Sequence, residues 1–369
     1  MERVVRHMSA PTDPRLAAPP ESLHEVRRVV DGRLDALLGT EQRRWSAFDP
    51  LLDEPLDQLR QFALRGGKRL RPAFCRLGHT AAGGCGTDDL VVDAGAALEL
   101  LHVFALVHDD VMDGSERRRG EPTVHEHFAA QHRANHWAGE ARRFGEGVAV
   151  LVGDLALVLA DRLLAGADPC TWEVYNELRV ELVMGQFLDV VVAANRSADP
   201  ETSARISLFK SAKYTVERPL HLGAAIAGRL DELGPAFTAY GLPLGEAFQL
   251  RDDVLGAFGD EVVLGKPVGD DFREGKPTRL VVHALGVARR ERLLPALEVL
   301  SRIGDPDMGP ADVVAIQEAI EFTGARAAVE RRIDDLLHAA VDALAPVDID
   351  PGARSDLVDL AVYCARRDR

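Results

Sequence analysis

The sequence predicts an all-α protein built as one large domain, and three observations carry that prediction. Apolar residues recur at spacings of three and four nearly throughout from Glu21 onward, the pattern of helices with one buried face. No segment of useful length alternates apolar and polar residues, as a half-buried strand would. Apolar residues make up 46% of the 369-residue chain and aromatics only 5%, which favours helices packed through Leu, Ala and Val. Length alone would suggest two or three domains, yet the helical text continues to the end, so residues 21–369 read as a single domain. Residues 1–20 hold Pro11, Pro14, Pro19 and Pro20 and no apolar run. They read as a disordered arm and not as a signal peptide.

The elements follow in order. Ser22 is a candidate N-cap for a helix reaching about Leu38. A second helix spans about residues 55–64 and stops at Arg65-Gly66-Gly67-Lys68-Arg69-Leu70-Arg71-Pro72, and a third runs to about Ala82. Residues 83–89 form a turn, with Asp88-Asp89 as the cap of the next helix. Residues 114–147 are polar and rich in Arg and His, and read as a lid or a loop-helix excursion. Residues 148–164 and 173–195 are apolar helices. Lys210 opens a helix that includes Pro219, and a later helix carries Asp252-Asp253. Gly265-Lys266-Pro267 reads as flexible, and three amphipathic helices, two of them at 311–323 and 325–344, close the chain.

Charge and cysteine usage narrow the function classes. The chain carries 44 Lys+Arg against 59 Asp+Glu, a net charge of −15. That argues against nucleic acid or an anionic membrane surface as the main partner. No stretch reaches the roughly 18 consecutive apolar residues of a membrane span. Cys75, Cys85, Cys170 and Cys364 form no CxxC pair and no regular framework, so they read as reduced thiols of a cytoplasmic protein.

The chemistry concentrates where the helix containing Leu100, Leu101, Val103, Phe104, Leu106 and Val107 ends in Asp109, Asp110 and Asp113. Its apolar circumference predicts burial. Carboxylates at a helix C-terminus face the negative end of the dipole, and buried anions must be paired or bound to metal. Asp109 and Asp113 share a face with Asp110 beside them, an oxygen-only arrangement suited to Mg2+ with phosphate oxygens as further ligands. The bland alternative is an acidic, solvated turn. Arg117-Arg118-Arg119 follow, as surface partners or as phosphate-binding guanidiniums. A second cluster, Gln249 with Asp252 and Asp253, recurs downstream on one helix face. The whole describes a metal-bridged polyphosphate site.

Seven motifs in order then carry a resemblance: GGKRLRP (66–72), HDDVMDGSERRRGEPT (108–123), GD (153–154), GQFLD (185–189), KS (210–211), FQLRDD (248–253) and GK (265–266). From about residue 50 to its end the chain resembles the trans-isoprenyl diphosphate synthases, the polyprenyl synthetase family, and most of all the short-chain geranylgeranyl diphosphate synthases. The resemblance implies a helical barrel with a central active-site cavity. It implies that Asp109, Asp110, Asp113, Asp252 and Asp253 hold Mg2+, three ions in all, with Mn2+ as a substitute. It places Arg118, Lys210, Gln249 and Lys266 on the allylic diphosphate. Lys68, Arg71, His102 and Arg119 fall in the isopentenyl diphosphate pocket, and Gln186 and Ser211 fall near the carbocation together with Lys210. It also implies a homodimer. One departure is Gly256, where the second cluster commonly ends in Asp; Asp260, Asp270 and Asp271 are nearby substitutes.

Chain length follows from Phe104, five residues before Asp109, which lies about 7.5 Å along the helix at 1.5 Å per residue. In the family an aromatic there, with no two-residue insertion in DDxxD, marks synthases of the C20 product; Ala105 beside it is small, where an aromatic would favour a shorter floor. The plainer reading of Phe104 is ordinary core, and the C15 farnesyl product is the alternative. A class I terpene cyclase lacks support, because its Asn-Asp-x-x-Ser-x-x-x-Glu motif is absent. A non-catalytic partner subunit would lose first-cluster aspartates or the basic pocket, and a phosphatase would need a parallel sheet. His125, His127, His132 and His136 lack zinc-site spacing and read as a solvated face. Asp334-Asp335 and Glu330-Arg331-Arg332 read as i,i+4 surface pairs.

Overall fold

The computed structural model describes residues 17–195, 200–259, 268–305 and 307–367. The elements are α1 (Glu21–Phe48), a 3-10 turn at Pro50–Leu52, α2 (Asp53–Leu64), α3 (Leu70–Ala81) and α4 (Asp89–Asp113). A two-residue antiparallel hairpin follows, β1 (Arg117–Arg118) with β2 (Glu121–Pro122). Then come α5 (Val124–Ala134), α6 (Ala141–Leu163), α7 (Pro169–Asn195), α8 (Pro200–Ser207), a π-helical segment Leu208–Glu217, α9 (Arg218–Ile226) and α10 (Leu230–Phe258). The rest is α11 (Asp270–Arg273), α12 (Arg279–Arg290), α13 (Leu294–Leu300), α14 (Pro310–Phe322), α15 (Ala325–Leu344) and α16 (Pro351–Arg366). The expected all-α class holds.

Two long helices organise the packing. α4 buries Leu98, Leu100, Leu101, Val103 and Val107 and lies against α3 and α6. Among the described helices it alone is long and apolar enough to cross a membrane, and it is instead enclosed by its neighbours. α10 packs on α15 and on the π-helical segment. That second contact is a backbone-to-backbone approach. A Cβ on Gly245 would stand 2.1 Å from Ala212 Cα, so only glycine lets the segment lie this close. π-helical geometry is rare and concentrates at functional sites, and here it carries Lys210, Ser211, Tyr214 and Thr215.

Several local expectations are corrected. Ser22 does not cap α1, which begins at Glu21 after Pro20. Asp88 precedes α4 without capping it and holds His79 Nε2 at 2.9 Å. The 114–147 excursion is more regular than its polarity suggested, because α5 lies inside it and α6 already starts at Ala141. His125 and His132 are buried, not solvated: His132 packs between the rings of Trp137 and Phe144. The C-terminal part holds more helices than three. Its charges pair between helices, Glu330 with Arg251, Arg332 with Glu246 and Asp334 with Arg366, instead of along α15.

Candidate active site

α4 stops because Gly114 turns left-handed (φ 64°) and its neighbour Ser115 donates back to the Asp110 carbonyl at 3.0 Å. Its last turn contains three aspartates and no basic residue, so the balancing cations come from elsewhere in the chain. The hairpin brings Arg118, whose Nη2 lies 2.8 Å from Asp110 Oδ1 and 3.8 Å from Asp109 Oδ2. α7 brings Gln186, whose amide donates to Asp109 Oδ1 at 2.7 Å. The π-helical segment brings Lys210, 3.7 Å from the same oxygen and 2.5 Å from Asp189 Oδ2. Arg117 turns away and bonds the Gly120 carbonyl.

The same π-helical segment reaches the second cluster. Ser211 Oγ donates to Gln249 Oε1 at 2.6 Å, and the Gln249 amide donates to Asp253 Oδ1 at 2.9 Å. Asp253 also accepts from the Arg279 backbone N–H at 3.2 Å. Asp252 does not share this arrangement; it pairs with the fully buried Arg367, which stacks on Phe248 at 4.0 Å. Lys266 and Asp260 lie outside the described residues.

Burial raises three of the clustered carboxylates. Burial, reinforced by Asp109, pushes Asp113 up. Burial pushes Asp110 up against the opposing pull of Arg118. Asp253 is pushed up to about 7, by burial first and then by its like-charged neighbours Asp271 and Asp252 against the Gln249 hydrogen bond. Among the described residues no three His, Cys, Asp or Glu side chains gather closely enough to cage an ion unaided. Exclusively carboxylate donors that are too few to saturate a cation fit Mg2+, which keeps waters and takes phosphate oxygens as its other ligands.

Opposite in sign are Lys68, Arg71, His102 and Arg119, of which Arg119 acts on both Lys68 and His102, and Arg71 on His102. Arg71 lies 4.0 Å over the Tyr214 ring and donates to Thr215 Oγ1 at 3.1 Å, while its Nε has no protein partner. His102 also faces Tyr214, ring centroids 6.1 Å apart. Burial, then the charges of Arg71 and Arg119, holds His102 well below the usual imidazole range. Burial, then Arg367, pushes Lys68 down to about 8. Arg119 donates to the Arg65 carbonyl at 2.7 Å.

Phe104 and Ala105 are half-buried on α4. The Phe104 ring meets the His108 ring edge-on at 4.6 Å, and His108 in turn bonds the Val150 carbonyl at 3.1 Å. Gly153 of the Gly-Asp motif makes this possible, since a Cβ there would stand 2.3 Å from His108 Nε2.

The structure adds residues that the sequence reading missed. Asp189 closes the GQFLD segment, where sequence assigns it no role, and it holds Lys210. Tyr214 and Thr215 contact Arg71. Lys276 lies by the first cluster: against the effect of burial, Glu274, Asp271 and Asp113 together hold it above its usual range. Arg69 and Arg367 act from buried positions, and only three-dimensional contacts could have identified either.

The polyprenyl synthetase family model matches residues 50–305. A geranylfarnesyl diphosphate synthase of Aeropyrum pernix is 31% identical, over 75% of this chain and 86% of that one. A geranylgeranyl diphosphate synthase of Mycobacterium tuberculosis is 34% identical, over 82% and 80% respectively. A crystal structure of Corynebacterium glutamicum geranylgeranyl pyrophosphate synthase, complexed with isoprenyl diphosphate and magnesium, superposes with a TM-score of 0.86 at 38% identity, covering 94% of this chain and 99% of that one. The chain therefore belongs to the polyprenyl synthetase family, the trans-prenyltransferases that make isoprenyl diphosphates.

Proposed function

We propose that the protein condenses isopentenyl diphosphate with allylic diphosphates (dimethylallyl, geranyl and farnesyl) and releases geranylgeranyl diphosphate. One observation carries this reading: a carboxylate region and a cationic pocket are served by a single π-helical segment. Lys210 and Ser211 face the first, and Tyr214 and Thr215 face the second. Two diphosphates can then be held side by side, one through cations bound to carboxylates and one directly by Lys68, Arg71, His102 and Arg119.

Mg2+, three ions per site with Mn2+ as a substitute, would be held by Asp109, Asp110, Asp113, Asp252 and Asp253 and would supply charge stabilisation to the leaving diphosphate. The protein's own groups complete that field. Arg118, Lys210, Gln249 and Lys266 direct donors at the allylic diphosphate oxygens, where charge builds as the C–O bond breaks. Gln186 and Ser211 present oxygen dipoles near the carbocation, together with the segment bearing Lys210. The basic pocket fixes isopentenyl diphosphate so that its double bond attacks at close range. Phe104, braced by His108, closes the path of the growing chain.

The reading includes a homodimer in the cytoplasm. α7 exposes Val180, Met184, Phe187 and Val191, and α6 exposes Leu151 and Val158, each set at helical spacing. Apolar stripes of this kind mark an interaction surface, and a second copy covers them in this reading.

Three measurements test the proposal. Incubation with Mg2+, isopentenyl diphosphate and each allylic starter should give the C20 alcohol after dephosphorylation; a C15 stop would favour farnesyl diphosphate, and no elongation would reject the synthase. Phe104→Ala should shift the product to C25 and longer, seen by chromatography, and an unchanged C20 product would remove Phe104 as the floor. The third is a pH profile. The Lys68 ammonium binds diphosphate and is lost as pH rises through about 8. On that limb kcat/KM for isopentenyl diphosphate should fall by up to about tenfold per pH unit. Lys68→Arg should move the fall to higher pH, because guanidinium stays protonated; an unmoved limb would assign it to another group.

A further inference from the structure

The π-helical segment Leu208–Glu217 ends on a backbone bond from the Arg218 N–H to the Lys213 carbonyl, five residues back. Pro219 follows and has no N–H to donate in either an α or a π register. One carboxylate fastens the two residues that this bond joins. Glu181, buried on α7, accepts from Lys213 Nζ at 2.5 Å, from Arg218 Nε at 2.7 Å and from Arg218 Nη2 at 2.8 Å. Against the effect of burial, hydrogen bonds and charge from Arg218 and Lys213 hold the Glu181 carboxyl below its usual range. Glu217 flanks Lys213 from the other side at 3.4 Å and accepts from Thr238 of α10 at 2.8 Å.

The spacing makes this contact selective for the π form. In an α-helix, residues five apart lie about 140° apart around the axis, at 3.6 residues per turn. The wider π turn, bonded from i to i+5, brings them onto one face. A carboxylate that meets Lys213 and Arg218 together therefore favours π over α winding. At the other end of the segment, Asp189 of α7 holds Lys210 at 2.5 Å, and a Cβ on Gly185 would stand 2.8 Å from Phe209 Cβ, so α7 follows the segment closely. α winding would rotate the two ends of the segment relative to each other. Lys210 and Ser211 would then no longer face the carboxylates while Tyr214 and Thr215 face Arg71. We propose that Glu181 is a positioning residue that, through Lys213 and Arg218, fixes the π register and with it the alignment of the two diphosphate halves of the site. Its partners Lys213 and Arg218 lie outside the residues assigned to either diphosphate. The inference rests on the two-diphosphate reading above and adds to it a device that holds the shared segment in shape.

The test is steady-state kinetics of the full-length protein with Mg2+, isopentenyl diphosphate and geranyl diphosphate, scaled to the folded fraction measured by circular dichroism. Glu181→Gln keeps the shape and removes the charge that couples the two cations. KM should rise for both diphosphates together, and kcat/KM should fall by about 10–100-fold, the loss expected when reacting groups are misplaced by about 1 Å. Lys213→Met removes one leg of the contact and leaves Glu181 paired with Arg218. It should raise the same two KM values less, and the double variant should be no worse than Glu181→Gln, because both changes act through one contact. Wild-type KM values in Glu181→Gln, with kcat lost only in proportion to folded protein, would make Glu181 a structural brace and overturn the inference. A rise in one KM alone would overturn it too, because a change of register moves both ends of the segment. Should Glu181→Gln fail to fold, Lys213→Met decides by the same pair of KM values. A wild type that elongates no starter rejects the reading beneath the inference, whereas unaffected variants of an active wild type overturn the inference alone.

Discussion

Asp109→Asn is expected to lower kcat by at least roughly 10^2–10^3-fold, the loss typical when one preorganised electrostatic group is removed from a reacting centre. The position explains the size. Asp109 is where three elements converge: Gln186 from α7, Lys210 from the π-helical segment and Arg118 from the hairpin all lie within 4 Å of its carboxylate. The amide keeps the shape but loses the charge that draws cations to this helix end. Thermal stability should stay the same or rise, because Asp109 is a like charge acting on Asp113 and no longer opposes it in the variant. Turnover and melting temperature are therefore expected to move independently. A variant with near-wild-type kcat would show that Asp109 anchors the surrounding side chains without acting in the reaction.

Asp109 was legible in the sequence because its signal is local: an apolar helix run ending in clustered carboxylates. The basic loop at 66–72 was legible for the same reason. What could not be read depends on contacts between segments far apart in the chain. Asp252 and Asp253 are adjacent and were expected to act alike, yet one turns to Arg367 on α16 and the other to Gln249 and the Arg279 backbone. No local pattern separates them. Sequence alone predicts an ordinary helix start at the π-helical segment, whereas its backbone packs closely on Gly245 of α10, a contact its own composition does not reveal. The histidines of the excursion misled for a related reason. Two of the four are buried, His132 among aromatic and backbone partners that only the folded chain supplies.

The same distinction makes Arg69 the residue whose removal should cost the most stability. In Gly-Gly-Lys-Arg-Leu-Arg-Pro it looks like one more cation, but its backbone is left-handed at φ 52°, an unusual state for a non-glycine residue. The side chain is 4% exposed and fully engaged: Nε donates to Asp31 at 2.8 Å, Nη2 to the Ala63 carbonyl at 2.7 Å and Nη1 to Glu99. Glu99 is itself buried on α4, one turn before His102. Arg69 thus fastens the basic loop, between Lys68 and Arg71 in the chain, to the helix that bears the aspartates. Arg69→Ala strands Glu99 as an unpaired buried charge, which costs about 3–5 kcal/mol in comparable pairs. Denaturant unfolding should register that loss. Arg69→Lys keeps the charge but not the planar fork that serves three acceptors, and should recover only part of it. If the residue positions the pocket, the folded Lys variant should also show a raised KM for isopentenyl diphosphate with the allylic KM unchanged. Equal changes in both would reduce Arg69 to a structural brace, whereas a selective change would show that the ion triad sets the register between the two halves of the site.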